Sequence, residues 1–138
     1  MSMQKYNKVL LMKVPYCTYA DRLTVKRDYN TISPFRPVPS LALASLTSFF
    51  NKYKRVDYNL SVVDINIEGY MHPGEQIDIN MYSTLLEQYI KDSAYDVLAL
   101  SAMFIFNVRW VKSAVILSRK YHPNAKIILG GGYPTILT

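Results

Sequence analysis

Three consecutive glycines, Gly130, Gly131 and Gly132, follow the apolar run Ile127-Ile128-Leu129 in the stretch AKIILGGGYPT. The turn cluster His122-Pro123-Asn124 bounds the run upstream, so it reads as a buried parallel strand that opens at its C-terminal end into a loop without side chains. Such a loop lets a flat or phosphate-bearing group approach the backbone where Cβ atoms would otherwise stand. A flexible strand-to-helix turn is the competing reading. Other residues able to do chemistry are sparse. Ser101 closes a second apolar run, Asp64 stands near the end of a third, and Pro15-Tyr16 follows a fourth. His72 falls in a breaker stretch and His122 at a helix stop, and neither is read as a metal ligand. The single cysteine, Cys17, excludes a disulfide framework, a CxxC redox pair or a cysteine-rich cluster within these residues. No catalytic residue is assigned.

The elements that must position these residues alternate. Lys8 to Val14 reads as a first strand stopped by Pro15. Tyr16 to Pro39 has no clear period and is rich in aromatic and basic residues, which suits a ligand-covering loop better than a solvated linker. Ser40 is the expected N-cap of a first helix, with Leu43, Leu46, Phe50 and Tyr53 along its apolar face. Tyr58 to Ile67 reads as the second strand, followed by a breaker stretch from Gly69 to Gly74. A second helix is expected over about 80–91, with Tyr82, Leu85, Leu86 and Tyr89 inward. A third strand, buried on both faces, spans Asp96 to Met103. Asn107 is expected to cap a third helix running to about Tyr121, whose inner side carries Val108, Val111, Ala114, Val115 and Ser118.

This β-α-β-α-β-α-β order demands a parallel sheet with helices on both faces: an α/β, doubly wound, flavodoxin/Rossmann-like fold. In a flavodoxin-like strand order, 2-1-3-4-5, the ligand crevice lies between the loops after strands one and three, with the glycine loop beside them. Because the chain runs only six residues past Gly132, the fold is expected to be truncated after the fourth strand. Residues 1–138 then form one domain, an N-terminal fragment whose exposed fourth strand is open to a partner or a dimer.

Composition narrows the classes. Half the residues are apolar and 19% charged, which argues against disorder. The net charge of +6 suits a phosphate-bearing ligand or a weakly acidic partner, with no nucleic-acid motif to accompany it. No apolar run reaches membrane-spanning length, and MSMQKYNK lacks the apolar core of a signal peptide, so a cytoplasmic protein is expected.

Several motifs, in order, resemble a known family. Ser101-Ala102-Met103 ends the third strand, and 26 residues separate Met103 from Gly130. That layout is similar to the Ser-x-Leu and downstream Gly-Gly of cobalamin (vitamin B12)-binding domains. With VLLMKVPY, PSLALASL, VVDIN and GGGYPT in sequence, about Val9 to Thr135 resembles the N-terminal cobalamin-binding domain of B12-dependent radical S-adenosylmethionine enzymes. The resemblance implies cobalamin as cofactor, with Pro15, Tyr16, Asp64, Ser101, Met103, Phe104, Gly130, Gly131, Gly132 and Tyr133 around it. It also implies methyl transfer, completed by S-adenosylmethionine and a [4Fe-4S] cluster on a C-terminal radical domain. The departures are specific. The Asp-x-His-x-x-Gly of mutases is missing and no histidine precedes His72, which implies base-off binding. Met103 replaces leucine, and the three-cysteine cluster motif is missing from these residues. The alternative is a non-catalytic flavodoxin-like interaction domain with an empty or vestigial pocket. A receiver domain would need an acidic pair after the first strand, where Val14-Pro15-Tyr16 stands. A flavin site would need a phosphate cradle of Ser, Thr or Gly at the same place.

Overall fold

A computed structural model describes residues 6–16, 25–26, 40–54, 57–71, 76–77, 79–103 and 107–132. Four parallel strands form one sheet: β1 (Lys8–Lys13), β3 (Asn59–Asp64), β5 (Val97–Ser101) and β6 (Lys126–Gly130), in the order β3-β1-β5-β6. Counting only these four, the order is the expected 2-1-3-4. Between them lie α1 (Leu41–Tyr53), α2 (Ile65–Met71), α3 (Ile79–Asp92) and α4 (Val108–Tyr121). The fold is α/β and doubly wound, of the flavodoxin/Rossmann-like kind. A two-residue antiparallel pair, β2 (Val25–Lys26) with β4 (Gln76–Ile77), lies apart from the main sheet. The segment Tyr16 to Pro39 is therefore not wholly without regular structure.

Each strand ends for a local reason. Val14 still donates to the Ser101 carbonyl at 3.3 Å, but Pro15 has no N–H and the ladder stops there. At the other end Asp96 Oδ2 accepts from the backbone N–H of both Asn7 and Lys8, at 3.1 Å each, and so fixes where β1 begins. Ser40 is the N-cap of α1, its Oγ accepting from Leu43 N at 3.3 Å.

The second strand is shorter than its sequence suggests. Asp64 Oδ1 accepts from Asn66 N at 3.0 Å, and the chain turns directly into α2. Ile65, Asn66 and Ile67 are helical, and Gly69 lies inside that helix rather than in a breaker. A Cβ at Gly69 would run into the ring of Tyr82, so the glycine is what lets α2 approach α3.

Strand alternation divides the sheet into two unlike faces. Leu10, Met12, Val63, Leu98 and Leu100 point to one face, where they are buried with Tyr82, Leu86 and Ile90 of α3 and Trp110, Val111 and Ala114 of α4. Tyr82 meets Trp110 edge-on, with ring centroids 6.4 Å apart. Ser118, also on the inner side of α4, is buried and accepts from the Tyr95 hydroxyl at 3.1 Å.

Among the described residues the opposite face is covered by α1 alone. Of the apolar positions on that helix only Leu43 is buried, and Leu46, Phe49 and Tyr53 are exposed. Beneath them lies a cavity of about 530 Å³ whose sheet side is Val9, Leu11, Leu60, Val97, Ala99 and Ile128. The last strand lies at the sheet edge, as expected of the fourth strand, and its apolar run, read as buried, is only partly so: Ile128 is 56% exposed. Its other side chains, Ile127 and Leu129, do pack against the core. No helix among the described residues is long and apolar enough to cross a membrane.

Candidate functional site

The strand register arranges the α1 face in three rows running across the sheet. Leu60, Val9, Val97 and Lys126 form the first, and Val62, Leu11, Ala99 and Ile128 the second. The third row, at the carboxyl ends of the strands, is Asp64, Lys13, Ser101 and Gly130. A trough of aliphatic side chains therefore ends at a polar row with one carboxylate, one ammonium, one hydroxyl and one gap. Towards β6 the third row holds the small residues Ser101 and Gly130, with Ala99 next to them in the second row beside the larger Ile128, so the floor is shallow at the rim.

The gap at Gly130 is open: a Cβ built there meets nothing within 4 Å. The next two glycines differ. Gly131 has φ +106°, and a Cβ on it would collide with the Ala102 carbonyl. A Cβ on Gly132 would lie 2.9 Å from the Met103 oxygen. These two let the turn lie against the exit of β5, whose Ala102 N donates to the Gly130 carbonyl at 2.9 Å. Of the three, only Gly130 leaves space that a ligand can occupy. Met103, beside the turn, is 46% exposed.

Lys13 is 5% exposed. Its Nζ stands 3.4 Å from Asp64 Oδ2 and 4.4 Å from the centre of the Tyr16 ring. Asp64 uses Oδ1 to cap α2, as its position before a helix allows, and Oδ2 is buried without a hydrogen bond among the described residues. A buried ion pair held at that separation leaves both partners short of hydrogen bonds, a costly state unless something else completes them.

Two asparagines fix the chain leaving β1. Asn66 Oδ1 accepts from Tyr16 N at 2.7 Å, and its Nδ2 donates to Val14 O at 3.1 Å and to Asp64 Oδ1 at 2.9 Å. Asn107, 1% exposed, donates from Nδ2 to Pro15 O at 2.6 Å. It stands at the N-cap position of α4 but makes no side-chain capping bond, so the expected capping role is replaced by this tie. The Asn107–Pro15 bond also spans the loops after β1 and β5. Among the described residues of the rim, Gly130 on the α1 face borders open space.

Of the residues expected around a ligand, Asp64, Ser101 and Gly130 share one row. Pro15 and Tyr16 lie at its back, and Met103, Gly131 and Gly132 form the wall beside it. Phe104 and Tyr133 lie outside the described residues, as do Cys17 and His72. The sequence reading missed Lys13, Asn66 and Asn107. A lysine inside an apolar strand was a signal for the first, because placing it there forces burial. His122 is accounted for away from this rim: Nε2 lies 2.9 Å from Ile90 O and its ring packs on Tyr95, with centroids 4.3 Å apart. No group of three or more His, Cys, Asp or Glu side chains among the described residues is placed to hold a metal ion. No family model, curated protein or solved structure matches the chain.

Proposed function

We propose that this chain is a cobalamin-binding module serving a B12-dependent radical S-adenosylmethionine enzyme in methyl transfer. The observation that carries the reading is the open space at Gly130, next to Ser101, at the head of an apolar trough on the rim where doubly wound sheets bind ligands. The residues fit the nucleotide tail of the cofactor. Ala99, Ile128 and Gly130 would take the flat dimethylbenzimidazole, and the Ser101 hydroxyl would meet a ring nitrogen or the phosphate. Burying roughly 200 Å² of aromatic tail contributes on the order of 5 kcal/mol before ordering costs. The corrin side would face Pro15, Tyr16 and Met103. Bound cobalamin supplies methyl carriage on cobalt; S-adenosylmethionine and a [4Fe-4S] cluster would be held by a radical domain outside these residues. With no histidine on this rim among the described residues, the cofactor would be held base-off.

Equilibrium dialysis against hydroxocobalamin tests the reading. The expected result is retention by the parent protein and at least a tenfold loss in Gly130→Leu, with thermal unfolding unchanged because the new side chain enters open space. EPR of the Co(II) form showing a protein nitrogen on cobalt would count against base-off binding. Failure of the folded protein to retain the cofactor would favour a second reading, a non-catalytic docking domain. The exposed Leu46, Phe49, Tyr53 and Ile128 support that alternative.

A further inference from the structure

The polar row holds a cation that the cofactor reading does not use. Lys13 lies in the same row as Ser101 and Gly130, with Asp64 on its other side. Among the described residues its ammonium makes an ion pair and a ring contact but no hydrogen bond, and the Ser101 hydroxyl makes none either. Asp64 Oδ2, the only anion facing Lys13 among the described residues, is likewise unbonded. A lysine and a serine paired in register on neighbouring strands, each with donors to spare, suit a phosphate group. The aliphatic trough running away from them suits a flat apolar group attached to that phosphate.

We infer that Lys13, with Ser101, is a phosphate-binding pair, and that the α1-face trough takes the phosphorylated nucleoside end of a ligand, its aromatic base over Ala99 and Ile128. Asp64 holds the lysine in place while the site is empty and competes with the phosphate for it. This rests on the cobalamin reading for the ligand's identity, and on the row geometry alone for the ligand's class.

The test is calorimetric titration with dimethylbenzimidazole riboside and with its phosphate monoester. The phosphorylated form is expected to bind about tenfold or more tightly, the range of a charge-assisted hydrogen bond. The preference should vanish in the neutral double variant Lys13→Met/Asp64→Asn, which leaves no buried charge unpaired and keeps an oxygen to cap α2. Asp64→Asn alone should increase the preference, since the competing carboxylate is gone. Equal affinity for the two compounds, no binding of either, or a preference that survives in the double variant would overturn the assignment. Cobalamin retention without phosphate selectivity sinks the Lys13 inference alone. Phosphate-selective binding without cobalamin retention sinks the cobalamin reading alone.

Discussion

Gly131 combines a positive φ with a carbonyl already in the place of its missing Cβ, whereas Gly130 has neither constraint. Gly131→Ala should therefore cost about 2–4 kcal/mol, from backbone strain plus displacement of the Ala102 segment. Gly130→Ala should change stability by no more than about 0.5 kcal/mol, and a pair of urea unfolding curves separates the two. Asn66 is the other residue on which much depends locally. Truncation to alanine removes the side-chain bonds to Tyr16 N, Val14 O and Asp64 Oδ1 at once, leaving Asp64 Oδ1 only the backbone N–H of residue 66. A loss of about 2–4 kcal/mol is expected in the same measurement, larger than a surface asparagine would give. Asn107 tied to Pro15 O belongs to the same class, a polar side chain buried in order to fix a strand exit rather than to cap a helix.

At the level of elements, α2 is short and depends on its neighbours. It starts from the Asp64 cap, admits α3 at Gly69, and is tied to α3 by the Tyr89 hydroxyl donating to Glu68 Oε2 at 2.6 Å. That bond to a carboxylate, with burial adding to it, pushes the Tyr89 phenol up to about 12 from its ordinary 10.0. A raised folded-state value means the phenol's contribution is fully present below pH 10 and is lost as pH rises towards 12. Tyr89→Phe should cost about 1 kcal/mol at neutral pH and flatten that alkaline limb, as read from chemical unfolding across the same window. Two residues before Tyr89 on α3, Glu87 accepts from the Tyr121 hydroxyl and from Lys120 of α4, which holds its carboxyl below the usual range. Glu87 and Lys120 are on the surface, so little of the stability comes from their ion pair.

The whole molecule is lopsided. Among the described residues three helices close one face of the sheet, while the other has α1 and an aliphatic trough bounded by Phe49, which is 64% exposed, and by the edge strand β6. An apolar surface of that kind is expected to bind the dye ANS in the native state and to associate as concentration rises. The double variant Phe49→Ser/Ile128→Thr should reduce both, judged by fluorescence and sedimentation velocity, without loss of the α2–α4 core. If cobalamin occupies the trough, its addition should displace the dye. Persistence of full dye binding with the cofactor retained would place the cofactor elsewhere.

The sequence by itself determined the four main strands, the three longer helices and the parallel order, because apolar period and turn residues are local properties of the chain. It also marked Ser101, Asp64 and the glycines as sharing one end of the sheet, since each follows an apolar run. It misjudged Ile65 to Gly69, where isoleucines that favour a strand are overridden by the Asp64 cap and by packing on Tyr82. It placed β6 at an exposed edge, but which of its side chains would be buried depends on which helices cover them. Only the tertiary structure decided that Lys13, Asp64, Ser101 and Gly130 stand in one row, and that Gly131 and Gly132 answer to the chain itself. Residues from four strands become neighbours only when the register is set, and register is a property of the assembled sheet rather than of any one segment.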